Sequence, residues 1–221
     1  SWLDLGFFHY RVDVAQLRRV LPSTLQVQEF DGSAWVGLVP FQMAGVTRRP
    51  LPPVPYFATF PELNLRTYVE VDNKPGVWFF SLDADSWPIV IGGRAVYGLP
   101  YYPARMSYQR NDDWRHLVSQ RRRSGVKFAG RYRPLGEPYY AAEESFEHWA
   151  TERYCLYAMR RKQLLRVEVH HAQWPLQLCE VEIESCDILA AAGVTTLDNA
   201  PVAHFSSGVE VISFGAETIR V

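Results

Sequence analysis

The segment ELNLRTYVEV, residues 62–71, alternates strictly between polar and apolar side chains. Its polar positions hold an acid, an amide, a cation, a phenol and a second acid: Glu62, Asn64, Arg66, Tyr68 and Glu70. Successive side chains of a β-strand point to opposite faces, so a strand here places these groups on one side. An acid next to a phenol and a guanidinium has the chemistry to move a proton and to bind a carboxylate.

This polar face has two interpretations, which the pattern alone leaves open. The first is the solvated outer face of a half-buried sheet. The second is the lumen of a β-barrel, where such groups converge on a ligand. Glu62 follows Pro61 at the start of the predicted strand, where active-site groups are often found.

The second candidate region is residues 91–106, which contains two adjacent glycines and ends in YGLPYYPARM. A helix is predicted over Pro88–Tyr97, ended by Gly98. Glycine inside a helix costs about 1 kcal/mol relative to alanine. The adjacent pair Gly92 and Gly93 therefore predicts a close approach of the helix to a strand or a ligand.

The remaining patterns predict the elements that must position these groups. Period-two patterns predict strands at Ala34–Phe41, Glu62–Val71, Val77–Asp83, Arg105–Asn111, Arg115–Arg121, Lys127–Arg133, Cys155–Met159, Leu164–His171, Leu178–Glu184 and Val209–Phe214. Helical patterns lie at Val14–Leu21, Pro88–Tyr97, Glu143–Arg153 and Ile188–Ala192. A proline-rich connector occupies Arg48–Pro55. We expect a single, mainly β domain over residues 1–221, built as a sandwich or a barrel with short inserted helices.

Composition excludes several classes of function. A formal net charge of -1 gives no general attraction to nucleic acid. The three cysteines form no CxxC pattern, and no apolar run approaches the ~20 residues that span a bilayer. The six histidines have no ligand spacing. We therefore expect a cytoplasmic protein with no metal, cofactor, membrane or nucleic-acid partner, with a few residues missing before Ser1.

Three segments resemble the acetoacetate decarboxylases. They are HYRVDVAQLRRVLPSTLQV (residues 9–27), the stretch from Gly93 to Tyr102 that ends in YGLPYY, and PVAHFSSGVEVISFG (residues 201–215). A closer resemblance is to the YqjF-like bacterial family of the same superfamily, whose function is not established. It is carried by FDGSAWVGLVPFQM, FPELNLRTYV, GVWFFSLDA, YGLPYYPARM and ERYCLY. The resemblance implies a closed, cone-like antiparallel β-barrel with a cavity for a small-molecule ligand, and a homo-oligomer.

The sequence departs from the decarboxylases at the residues that carry their chemistry. In that family, the lysine after the proline forms a Schiff base, and the next lysine lowers its pKa. Tyr101 and Tyr102 occupy these positions here. None of the three lysines, Lys74, Lys127 and Lys162, matches the family's lysine, so we expect no imine catalysis.

The candidate catalytic residues are Tyr101, Tyr102 and Glu62. The candidate substrate-binding residues are Arg94, Arg66, Asn64, Tyr68 and Tyr97. About one tyrosine in a thousand is ionised at pH 7, so a neutral phenol that donates to a carbonyl or enolate oxygen is the simpler role. Glu62 would then move a proton at carbon, while Arg66 or Arg94 holds a carboxylate.

Three hypotheses for the function follow. The first is a lyase, hydratase or enolising enzyme without a Schiff-base lysine. The second is a non-catalytic module that binds a small carboxylate or carbonyl compound. The third is a structural barrel whose cavity is filled by aromatic side chains. The sequence identifies neither the ligand nor the number of subunits.

Overall fold

The computed structural model describes residues 1–46 and 59–219. Strands make up most of this part of the chain, which confirms a mainly β fold. They are β1 (Trp2–Val12), β2 (Gln26–Val27), β3 (Ala34–Ala44), β4 (Thr59–Val71), β5 (Lys74–Ala84), β6 (Tyr101–Asn111), β7 (Trp114–Arg121), β8 (Lys127–Tyr139), β9 (Cys155–Arg160), β10 (Gln163–His171), β11 (Leu176–Cys186), β12 (Val202–Val209), β13 (Val211–Ser213) and β14 (Glu217–Ile219). The helices are α1 (Val14–Val20), α2 (Trp87–Gly92), a π-helix (Gly93–Tyr97), α3 (Phe146–Thr151) and α4 (Ile188–Ala191).

Several predicted helices and strands have different bounds in the structure. The helix predicted over Glu143–Arg153 is shorter, because Ser145 caps its start by accepting a hydrogen bond from the His148 amide at 3.2 Å. The strand predicted over Val209–Phe214 is shorter and is β13 (Val211–Ser213), because Val209 is the last residue of β12 and Glu210 separates the two strands. The predicted connector Arg48–Pro55 lies outside the described residues.

The strands pair into a ring. The hydrogen-bonded path runs β5-β6-β7-β8-β11-β12-β1-β3-β4, and the pairing of β4 with β5 returns it to its start. The pairings around this path are antiparallel except between β5 and β6. Strand β5 also pairs in parallel with β9, so β5 lies at the junction of three neighbouring strands.

The two faces of this sheet bury different groups. The largest apolar cluster includes Leu65 of β4, Leu117 of β7, Phe128 of β8 and Phe205 of β12. Because these strands lie on different sides of the ring, the cluster fills the space that the ring encloses. A second cluster joins the opposite face of β4 and β5 to α2, α3 and the start of β6. The polar face of β4 belongs to this second, covered side.

The helix in front of β6 approaches a strand closely, as the glycine pair predicts, but only at Gly93. α2 continues directly into the π-helix, which ends at Gly98 with a left-handed φ of 67°. A Cβ atom on Gly93 would lie 2.4 Å from Cε2 of Tyr101, whereas one on Gly92 would meet nothing within 4 Å. Gly93 therefore permits close packing on the Tyr101 ring, and Gly92 has no such role.

These two glycines form a matched pair for mutagenesis. Gly93→Ala is expected to destabilise the protein by about 1–3 kcal/mol, because the added methyl group displaces an aromatic ring in a packed site. Gly92→Ala is expected to stabilise it by up to about 1 kcal/mol through helix propensity. Urea unfolding of both variants measures the difference, and equal effects of the two substitutions would contradict the packing role of Gly93.

Candidate functional site

Tyr101 and Glu62 form a buried acid pair beside β5. The register sets Glu62 opposite Ala84, and Tyr101 opposite Leu82. This places the two side chains on the same face of three neighbouring strands. The Tyr101 hydroxyl donates a hydrogen bond to Oε2 of Glu62 at 3.0 Å. The two side chains are 6% and 1% exposed, so the pair is shielded from water.

Burial sets the protonation of this pair. Burial and, to a smaller extent, the nearby Asp83 carboxyl raise the pKa of Glu62, the hydrogen bond from Tyr101 lowers it, and the net result is a pKa of about 8. Burial and the Glu62 carboxyl also hold the pKa of Tyr101 well above its usual value. Near neutral pH, Glu62 is therefore mostly protonated and Tyr101 is a neutral phenol. An acid whose pKa lies this close to neutrality is suited to proton transfer.

Tyr102 is separated from this pair. Adjacent residues of a strand point to opposite faces, and Tyr102 is 38% exposed on the face opposite to Tyr101. The Arg121 guanidinium lies 4.0 Å from its ring centroid. The two tyrosines predicted to act together therefore lie on different sides of the sheet.

Arg94 holds the backbone of Tyr101 and does not reach into the buried face. Its Nε atom donates to the Tyr101 carbonyl at 2.8 Å, and its Nη2 atom donates to the same oxygen. The residue itself is exposed. Tyr97 is half-buried and packs against the cluster that contains Tyr101. These two predicted binding residues position Tyr101.

The other predicted residues of β4 are buried together. Asn64, Arg66 and Tyr68 lie on the same face as Glu62, and all three are buried. Helix α3 covers Arg66 and Tyr68: Arg66 Nη2 donates to the Ala150 carbonyl at 3.2 Å, and the Tyr68 ring centroid is 4.6 Å from that of Trp149. The solvated-face interpretation is therefore wrong for these residues. The face is buried under α3, on the side away from the apolar cluster inside the ring.

Two residues that sequence reasoning missed complete this buried face. His9 of β1 places its Nε2 atom 2.6 Å from the Tyr68 hydroxyl, and burial holds its pKa well below 6.5. Arg153, just after α3, is buried with its guanidinium carbon 5.3 Å from the Tyr68 ring centroid. Arg153 lies beside Glu152 in the ERYCLY motif, and its place in a motif that carries the family resemblance is the signal that would have found it.

Two surface cavities lie elsewhere. The first, of about 420 Å³, is lined by Tyr10, Val181, Ile183, Cys186, Leu189, Thr196 and Asp198 to Pro201. The second, of about 530 Å³, is lined by Arg11, Asp31, Ser33, Trp35 and Asp198 to Val202. Neither cavity is lined by Glu62 or Tyr101.

Within residues 1–46 and 59–219, no three His, Cys, Asp or Glu side chains are grouped to hold a metal ion. No helix of those residues is long and apolar enough to cross a bilayer.

Comparison with known proteins adds a family and a fold. The sequence model of the DUF2071 family, which is described as "Uncharacterized conserved protein", matches residues 1–210. The Bacillus subtilis (strain 168) protein "Uncharacterized protein YqjF" is 39% identical over 213 residues, which cover 96% of this chain and 88% of that protein. Two solved structures superpose at 14% identity. Acetoacetate decarboxylase from Legionella pneumophila has a TM-score of 0.70 over 99% of this chain and 85% of its own. Enduracididine biosynthesis enzyme MppR, complexed with pyruvate, has a TM-score of 0.68 over 98% of this chain and 88% of its own. At this identity, the superpositions show the fold alone.

Proposed function

Because the chain belongs to the DUF2071 family and has an acetoacetate decarboxylase-like fold, we propose that it binds a small oxo acid and moves a proton at carbon without a Schiff base. The ring of paired strands supports a closed, cone-like barrel as the scaffold. A single domain, a cytoplasmic location and assembly into a homo-oligomer are part of the same proposal. The last two rest on the family resemblance and on composition.

The observation that carries the proposal is the buried bond between Tyr101 and Glu62. With the pKa of Glu62 at about 8, roughly a tenth of the protein carries the carboxylate at pH 7. That carboxylate accepts a proton from the carbon next to the ligand's carbonyl, and the C–H electron pair becomes the enolate double bond. The neutral Tyr101 phenol donates a hydrogen bond to the enolate oxygen as its charge develops. Return of the proton from Glu62 to carbon completes the cycle.

Lysine chemistry has no support at this position. Tyr101 stands where the resemblance places the Schiff-base lysine, and Lys74 is paired with Glu168 at 2.6 Å on the surface. The pyruvate bound to MppR shows that a neighbour in fold accepts a 2-oxo acid. This supports the class of ligand proposed here.

A second candidate is a binding or structural barrel without catalysis. It is favoured by the two cavities, neither of which is lined by Glu62 or Tyr101. The close packing of Gly93 on the Tyr101 ring also favours this non-catalytic alternative. In this alternative, the Tyr101–Glu62 bond stabilises the covered face and binds no substrate.

Hydrogen–deuterium exchange at carbon tests the proposal. Pyruvate and 4-oxopentanoate in D₂O are expected to exchange the protons next to their carbonyl groups, at a rate that rises with pH through about 8 as Glu62 ionises. Glu62→Gln and Tyr101→Phe are each expected to lower this rate by about a hundredfold. Proton NMR of the ligand follows the exchange.

Tyr102→Phe is the matched control, because Tyr102 lies on the other face. It is expected to retain the wild-type rate. Exchange that is unaffected by Glu62→Gln and Tyr101→Phe would favour the non-catalytic alternative. A lysine adduct trapped by borohydride would overturn the mechanism.

A further inference from the structure

Three nitrogen atoms around Tyr68 are buried and have no hydrogen-bond partner in the described part of the chain. They are Nε of Arg66, Nη2 of Arg153 and Nδ1 of His9. The guanidinium carbons of the two arginines lie 5.8 and 5.3 Å from the Tyr68 ring centroid. The other ring nitrogen of His9 contacts the Tyr68 hydroxyl. The three unsatisfied atoms therefore belong to one cluster.

All three atoms can donate a hydrogen bond. Guanidinium N–H groups donate only. The Tyr68 hydroxyl lies 2.6 Å from Nε2 of His9. When this hydroxyl donates to Nε2, the imidazole proton is on Nδ1. A buried donor without an acceptor costs free energy. Three such donors in one cluster call for an acceptor that the chain does not supply within residues 1–46 and 59–219.

The charges of the cluster also call for a partner, in this case a negatively charged one. Four arginines of the described residues are buried: Arg66, Arg115, Arg121 and Arg153. Arg115 pairs with Asp4 at 3.0 Å, and Arg121 pairs with Asp83 at 2.8 Å. Neither Arg66 nor Arg153 forms an ion pair with a described acid, although a buried charge is costly without one. Burial and the neighbouring Arg66 lower the pKa of Arg153 to about 10, so the Arg153 side chain remains cationic at neutral pH.

We infer that Arg66, Arg153 and His9 bind the carboxylate group of a small organic acid. A carboxylate supplies acceptor atoms for the unsatisfied donors and a negative charge for the unpaired guanidinium groups. This inference rests on the proposed function, because it orients the same ligand. At about 3.3 Å per residue, the Cα atoms of Glu62 and Arg66 are about 13 Å apart along β4. That separation favours oxo acids longer than pyruvate, whose carbonyl group then reaches Glu62 and Tyr101.

Calorimetric titration with 4-oxopentanoate tests this site, with butanone as the matched ligand that lacks the carboxylate. Wild-type protein is expected to bind 4-oxopentanoate more tightly than butanone or inorganic phosphate. Arg66→Met and Arg153→Met are each expected to weaken this binding by about ten- to a hundredfold. Arg110→Met, which changes an exposed arginine of β6, is expected to leave the affinity unchanged.

The melting temperature of the ligand-free variants separates binding from a structural role. Because each methionine removes an unpaired buried charge, we expect an unchanged or higher melting temperature. Equal affinity in wild type and the arginine variants, preference for phosphate, or no carboxylate binding would overturn the inference. Glu62→Gln is expected to retain binding. Retained binding without proton exchange would therefore count against the proposed chemistry alone.

Discussion

Replacing Glu62 with glutamine is expected to remove a large decline in stability between about pH 4.5 and 8. The pKa of this carboxyl is about 8 in the folded protein, against 4.5 for an exposed glutamate. Between these values, the folded state holds a proton that the unfolded state releases, so rising pH favours unfolding. One pKa unit corresponds to 1.36 kcal/mol, so the full window corresponds to roughly 5 kcal/mol.

Urea unfolding at several pH values between 5 and 9 measures this effect. The free energy of unfolding of Glu62→Gln is expected to exceed that of wild type by an amount that grows through the window and levels off above about pH 8. Glutamine keeps an oxygen that accepts from Tyr101, so packing changes little. Glu70→Gln, on the same strand but partly exposed, is expected to follow wild type. Parallel curves for wild type and Glu62→Gln would show that Glu62 is not a buried, protonated acid.

The alternation of β4 predicted which residues share a face but not what covers that face. Glu62, Asn64, Arg66 and Tyr68 were assigned to one side by period two alone, and the structure keeps them there. Helix α3, which lies about eighty residues later in the chain, covers Arg66 and Tyr68 through Ala150 and Trp149. Such a contact depends on tertiary packing that a local pattern does not encode. This is why the solvated-face and barrel-lumen interpretations remained open.

The orientation of the two tyrosines also depends on a strand pairing that the local sequence pattern does not predict. The predicted helix ended at Gly98 and the next predicted strand began at Arg105, so the sequence pattern did not separate Tyr101 from Tyr102. In the structure, β6 begins at Tyr101, because residues 101–103 pair in parallel with the end of β5. The two paired segments are separate in the chain, so the side-chain pattern of neither segment predicts the pairing. Once these residues are in a strand, opposite orientation of the two tyrosines follows directly.

The family motifs carried information that periodicity did not. They predicted an acetoacetate decarboxylase-like fold, and the superpositions confirm it. They also predicted that the residue after the proline marks the reactive position, which remains a prediction. His9 and Arg153 were missed because neither belongs to a local pattern that predicts a shared site. Their shared neighbour, Tyr68, becomes visible only when β1, β4 and α3 are assembled.

Replacing Arg121 with methionine is expected to cost about 3–5 kcal/mol of stability at neutral pH. Arg121 Nε lies 2.8 Å from Asp83 Oδ1, and both side chains are nearly inaccessible. Removing the guanidinium leaves Asp83 buried with only the Ser119 hydroxyl as a donor. Burial raises the pKa of Asp83 even with Arg121 present to lower it. Without Arg121, the pKa of Asp83 rises further.

The cost of Arg121→Met is therefore expected to depend on pH. Below about pH 4, Asp83 is protonated in the folded and the unfolded variant, so no buried charge remains and the cost is smallest. As pH rises, the unfolded state releases the proton first, so the variant loses stability relative to wild type. Denaturant unfolding at pH 4 and pH 7 measures this difference, and an equal cost at both values would contradict it.

Two further variants isolate the buried pair. Arg122→Met removes the neighbouring ion pair with Asp85, which is partly exposed at 3.0 Å, and is expected to change stability by less than about 1 kcal/mol. Asp83→Asn combined with Arg121→Met removes both charges and is expected to recover much of the loss. If the double variant is as unstable as Arg121→Met alone, the loss comes from packing around Tyr102 and not from an unpaired carboxylate. In that case, the cation–π contact of Arg121 with Tyr102 is what holds this end of the sheet.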